Sequence, residues 1–183
     1  MVMKLSEARG IAETLKGLLE GSCERIKIEG IERTGIEIAG SIRRHKWDVG
    51  DIELLCVPQF IGGVDQLDRE LGVLLSEHIL ALRRNKRGST TYGPKNKLMV
   101  HVPSGIGVDI FSTTEECWSV ALVVRTGGKA TNIRISMAAQ DRGYQFHAYG
   151  PGFSTPQGEI ICSSEREVFE AVGLPYREPW ERD

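Results

Sequence analysis

Three acidic residues in two short stretches have the types and spacing to do chemistry together. Asp51 and Glu53 alternate with Ile52 and Leu54 in DIEL, and Asp109 alternates with Val108 and Ile110 in VDIF. In an extended strand every second side chain shares a face, so Asp51 and Glu53 point the same way while the apolar residues enter a core. Asp48, three residues back and of opposite parity, cannot join them. Carboxylates held this close repel and desolvate one another unless a cation or basic partner sits between them. If the two strands are neighbours, three carboxylates converge on a hard, oxygen-lined site suited to magnesium or manganese, ions that also bind phosphates. Upstream, Gly40-Ser41 offers a tight turn with free amides and a hydroxyl, followed by Arg44; all can hold triphosphate oxygens.

The elements that must position these groups are legible as patterns. Ser6 to Glu20 has Ile11, Leu15, Leu18 and Leu19 at helical spacing behind a Ser6 cap. ERIKIEG, GIEIAGS and DIELLCVP alternate as neighbouring strands of a mixed sheet. From Gly63 to about Leu82, Val64, Leu67, Leu71, Leu74 and Leu75 form one helical stripe. KLMVHVP and GIGVDIF then form a hairpin across Pro103-Ser104-Gly105. After Phe111 the pattern turns helical: two helices separated by Thr126-Gly127-Gly128, the second ending at Gly143. A small hairpin, a short helix with Ser164 and Glu167 as a capping box, and a polar tail complete the chain.

Composition narrows the class. At 183 residues the chain can bury a core without disulfides, and Cys23, Cys56, Cys117 and Cys162 are scattered, reading as buried thiols of a reducing compartment. No segment approaches the roughly 20 apolar residues of a membrane span, so an intracellular, soluble protein without a membrane partner is expected. With 23 Lys+Arg against 25 Asp+Glu a globally basic nucleic-acid coat is excluded. Local clusters remain at Arg43–Lys46, Arg83–Arg87 and Lys95–Lys97.

Gly-Ser, nine residues, Asp-apolar-Glu-apolar on a strand, then a distant apolar-Asp-apolar strand is a specific ordered pattern. It resembles the nucleotidyltransferase superfamily and, within it, the DNA polymerase X family to which DNA polymerase beta belongs. GSIRR is similar to that family's phosphate motif, GDIE to its paired acids, VDIF to its third-acid strand, RTGGKATNIRI to its Thr-Gly segment and following helix, and VGLPYREPWER to its thumb terminus. The resemblance implies an α+β fold: a nucleotidyltransferase palm over 1–115, a mixed β-sheet with helices on one face, then a small, mostly helical thumb over 116–183. In extent the chain looks like the short palm-plus-thumb viral members, without the lyase domain and fingers of larger ones. The implied function is template-directed addition of nucleotides to a primer 3′-hydroxyl, in short-gap DNA repair, by a monomer whose partners are gapped DNA and nucleoside triphosphates.

The resemblance also implies roles. Asp51, Glu53 and Asp109 bind two Mg2+ ions, with Mn2+ a possible substitute, and Asp109 accepts the hydroxyl proton. Gly40, Ser41, Arg44 and Gly50 match positions that hold the triphosphate; Thr126, Gly127 and Gly128 match the turn against the nucleotide sugar; Asn132 aligns with a contact to the nascent base pair. Arg83, Arg84, Lys86, Arg87 and Arg134 are candidate DNA contacts, with Tyr92 available for stacking. The chain departs from the family pattern at Glu53, where Asp is usual, at Val124-Arg125, where aromatics are common, and at Ser136, where an arginine commonly contacts the template. Two other classes stay open: a nucleotidyltransferase acting on a non-DNA acceptor, and a non-catalytic DNA-end-binding module.

Overall fold

The computed structural model describes residues 2–84 and 87–183. Its centre is a mixed five-stranded sheet in the order Ile36–Ile38, Asp51–Cys56, Gly107–Ser112, Asn96–His101, Leu80–Leu82. Asp51–Cys56 and Gly107–Ser112 run parallel and the other neighbours antiparallel. Strand alternation divides the sheet as the sequence pattern requires. Ile52, Leu54, Val108 and Ile110 face helices α1 (Leu5–Leu19) and α3 (Gln66–Ser76), packing with Ala8, Ala12, Leu15, Leu19, Leu67, Leu71 and Leu74. Leu15, Leu19, Leu67 and Leu71 are at most 1% exposed; burying a leucine side chain contributes about 1.5 to 3 kcal/mol.

The opposite face carries Leu55 and Phe111, which pack with Ile26, Val57 and the helix α4 (Trp118–Thr126) through Trp118, Ala121 and Leu122. The other side of α4, with Val120 and Val123, joins a separate core with Ile135 of α5 (Lys129–Asp141), Phe153, and Val168 and Phe169 of α6 (Glu165–Glu170). Helix α4 thus belongs to two cores, and its Thr126 end is held beside the acid-bearing face.

Several expected elements fold differently. Helix α1 starts at Leu5, and the residue before it, Lys4, gives no side-chain cap, so Ser6 is inside the helix; the start is pinned by the Met3–Lys4 pairing with Asp48–Val49 and a bond from Leu5 N–H to Trp47 C=O. ERIKIEG is outside the mixed sheet: Arg25–Ile28 pairs with Ile31–Thr34 across Glu29 and Gly30, both at positive φ, as a two-residue hairpin turn demands. The helix expected from Gly63 is shorter. Phe60–Ile61 and Val64–Asp65 form a hairpin over Gly62-Gly63, Asp65 caps α3 by accepting from Asp68 N–H, and left-handed His78 precedes the strand Leu80–Leu82. Val64 is consequently exposed.

The hairpin across Pro103-Ser104-Gly105 forms as expected, and Gly143 takes a positive φ just past α5. The later hairpin gains a third strand, Gln145–Phe146 beside Gly152–Thr155 and Gly158–Ile161. Ser164 caps α6, but Glu167 accepts from Ser163 N–H and not from the cap residue itself. Cys117 is half-buried, unlike the other three cysteines. Trp47 is 88% exposed. No helix among the described residues is long and apolar enough to cross a membrane.

Candidate active site

The parallel register sets Asp109 opposite Glu53, and Gly107 opposite Asp51. All three acids therefore lie on one face, one turn of the pleat away from the row of Leu55 and Phe111. Burial, then Asp51 and Asp109, raise the Glu53 carboxyl to about 7. Burial likewise raises Asp109 to about 6, with Arg83 opposing and Asp51 adding to the rise. Among the described residues no three His, Cys, Asp or Glu side chains gather as a metal cage. The reason is visible in where two carboxylates go. Asp109 accepts from Arg83 Nη2 at 2.6 Å, and Glu53 lies against Gly40, where a Cβ would collide with its carboxylate. The donor set nevertheless fits a divalent cation: hard oxygens on paired strands, with Asp51 raising the proton affinity of both Glu53 and Asp109 and a guanidinium standing in as the positive charge.

Gly40 opens the short helix α2 (Gly40–Arg43) at φ +58°, a conformation that costs a residue with a Cβ roughly 1–2 kcal/mol. Ser41 Oγ and Arg44 Nε are buried with no hydrogen-bond partner among the described residues. Arg44 donates to the Thr126 carbonyl and approaches Gly127, so Arg44 and the Thr-Gly-Gly turn meet. Gly127 has φ +70°, and the Gly127–Gly128 peptide is cis. Asn132 donates to Val124 C=O at 2.9 Å while its Oδ1 is buried without a partner. Gly50 sits beside Asp51, but a Cβ there would meet open space.

Other expected contacts are dispersed. Arg83 is on Asp109; Arg84 and Arg87 are exposed, Arg84 donating to Gly88 C=O; Lys86 lies outside the described residues. Arg134 is exposed on α5. Lys97, read as part of a basic cluster, is 2% exposed and donates to Gly93 C=O, with its ammonium over the Tyr92 ring. His45 stacks on Trp180 with ring centroids 5.7 Å apart.

Sequence reasoning missed a buried ion network and one cation. Arg43 donates to Thr126 Oγ1 and twice to Glu165, which also accepts from Arg182. Arg182 is fully buried, in what read as a polar tail. Arg125 lies over Phe111, 3.8 Å from the ring centroid, and donates to the Tyr149 hydroxyl; its charge reaches Glu53 and Asp109. No local pattern marks either arginine.

Comparison with known proteins bears on the fold and on the last third of the chain. Residues 121–183 match the family model for the DNA polymerase beta thumb. The whole chain superposes on polymerase beta of Leishmania infantum, solved as a ternary P/T complex, with TM-score 0.75 and 20% identity over 100% of this chain and 77% of that one. Residues 121–183 are thus similar to the polymerase beta thumb, and the fold of the whole chain is similar to that of the Leishmania infantum polymerase. No curated protein matches the sequence. The mixed sheet carries the acids, and the matched thumb segment begins inside α4, the helix shared by two cores.

Proposed function

We propose that this chain is a template-directed DNA polymerase of the X family, with residues 1–115 as palm and 116–183 as thumb, extending a primer 3′-hydroxyl by one nucleotide at a time in short gaps. One observation carries the reading: of six buried side-chain polar atoms without a partner among the described residues, three belong to Ser41, Arg44 and Asn132. The great majority of buried polar groups are paired, and Ser41 and Arg44 neighbour Glu53, so these orphans argue for a polar ligand. Hydroxyl and guanidinium donors suit triphosphate oxygens, and Asn132, on α5 just past the Gly127-Gly128 turn, suits the base-pair edge.

Asp51, Glu53 and Asp109 would hold divalent cations, Mg2+ or Mn2+, which supply charge neutralisation at the transferring phosphoryl group and a more acidic hydroxyl. The chain's own groups do the rest. Ser41, Arg44 and the amides of the Gly40 turn grip the triphosphate and orient its α-phosphorus. Asp109, raised toward neutrality, takes the primer hydroxyl proton at a carboxylate oxygen. The 3′-oxygen then forms its bond to the α-phosphorus as pyrophosphate departs.

The test is extension of a labelled primer on singly gapped DNA, one nucleotide at a time, in Mg2+ and in Mn2+, beside Asp109→Ala. Template-directed extension lost in the variant supports the polymerase. DNA binding without extension would instead favour a binding module. Metal-dependent nucleotide binding with neither would move the acceptor away from DNA.

A further inference from the structure

Arg83 reaches Asp109 from the end of the edge strand Leu80–Leu82, two strands away in the sheet. The backbone leaves room for it at one residue. A Cβ at Gly107 would collide with Arg83 Nη1 and lie 3.3 Å from Asp51 Cβ. The guanidinium therefore passes over Gly107, beside Asp51, and ends on Asp109. The Arg83 side chain is 33% exposed and that of Asp109 12%, so the arginine can be approached from solvent while the acid sits beneath it. Arg84 and Arg87 follow on the same exposed loop.

A guanidinium 2.6 Å from Asp109 repels any second cation at that carboxylate. Pulling it away with nothing in exchange leaves a buried carboxylate facing Asp51 and Glu53, which is costly. The exchange becomes favourable when both partners are replaced together. A phosphate suits the planar, forked guanidinium, and a divalent cation suits Asp109.

We propose that Arg83 is a resident counter-ion of the acid triad that trades Asp109 for a phosphate of bound DNA, so that DNA binding opens the acids to a divalent cation. The inference rests on the polymerase reading and adds a coupling to it. By linkage the coupling is reciprocal: metal must strengthen DNA binding by the same factor. Arg83 is a positioning residue here, acting through Asp109.

The test is Mn2+ binding to the full chain, followed by electron paramagnetic resonance, with and without singly gapped DNA bearing a dideoxy-terminated primer. Asp51→Asn identifies the Mn2+ bound at the acids. Wild-type protein is expected to bind that Mn2+ about tenfold more tightly with DNA than without, within the usual span of such couplings. Arg83→Ala should bind Mn2+ more tightly than wild type in the absence of DNA and lose the DNA-dependent gain. Gly107→Ala, which pushes the guanidinium off Asp109 while keeping its charge, should reproduce the tightening and retain the DNA affinity that Arg83→Ala loses. An unchanged DNA-dependent ratio in both variants overturns the coupling alone. Wild-type protein with no Mn2+ sensitive to Asp51→Asn overturns the metal reading of the acids and the coupling with it.

Discussion

Arg43 and Glu165, 122 residues apart in the chain, meet in a two-pronged ion pair of 3.0 and 2.5 Å. Glu165 also accepts from Arg182 at 2.8 Å. Burial by itself would raise the Glu165 carboxyl; the two arginines outweigh it and hold the group below its ordinary value. The network ties α2, which carries Gly40 and Ser41, to α6 and the chain's last turn.

Glu165→Gln leaves the buried Arg182 and the half-buried Arg43 without their counter-charge. Removing one partner of a buried pair costs about 3–5 kcal/mol, so urea unfolding should show a loss of that order. A variant as stable as wild type would mean that the network is not a structural tie. Because the folded value of Glu165 is depressed, its contribution is present above the unfolded value near 4.5 and is lost as the pH falls through the folded one.

Glu53 has the opposite sign. Its folded value of about 7 stands above the ordinary 4.5, so between those pH values the unfolded chain releases a proton that the folded chain keeps. Metal-free stability should therefore fall as pH rises from 4.5 to 7, by about 2–3 kcal/mol from this group at 1.36 kcal/mol per unit. Thermal unfolding of Glu53→Gln should lack this share of the slope; a slope identical to that of wild type would show that Glu53 is not the group responsible.

Gly40 and Gly50 make a matched pair. Gly40→Ala introduces a Cβ at φ +58° directly into the Glu53 carboxylate, which should cost about 1–3 kcal/mol and abolish triphosphate binding measured by calorimetry. Gly50→Ala meets open space and should stay within about 0.5 kcal/mol of wild type. Equal effects at the two positions would contradict the steric account of the turn.

The residues before Thr126 carry the prediction on sugar choice. Val124 and Arg125 stand where the family that the sequence resembles commonly has aromatics, and Arg125 is engaged with Phe111 and Tyr149. With no aromatic wall at the sugar, deoxy- and ribonucleotides should be incorporated with comparable kcat/KM. Single-turnover kinetics giving a several-thousandfold preference for deoxynucleotides would refute this.

Much of the sheet could be read from alternation alone. Asp51 and Glu53 had to share a face, and Asp109 had to lie on its own strand, because strand geometry has a period of two whatever surrounds it. Misreadings cluster where tertiary contacts decide. The apolar alternation of Arg25–Ile28 does not say which strand it pairs with, and the stripe from Gly63 to Leu82 does not show that Gly62-Gly63 turns a hairpin and His78 ends a helix.

The sequence by itself determined the three acids, the Gly-Ser turn, the Thr-Gly-Gly break and their order, because local periodicity and motif spacing are properties of neighbours in the chain. Only the tertiary structure decided that Asp109 stands opposite Glu53, that Arg83 crosses Gly107 to reach it, and that Arg182 is buried on Glu165. Those are pairings between residues 56, 26 and 17 positions apart in the chain. An arginine's side chain gives no local sign of which distant carboxylate will neutralise it, since that choice is made by the fold that carries both.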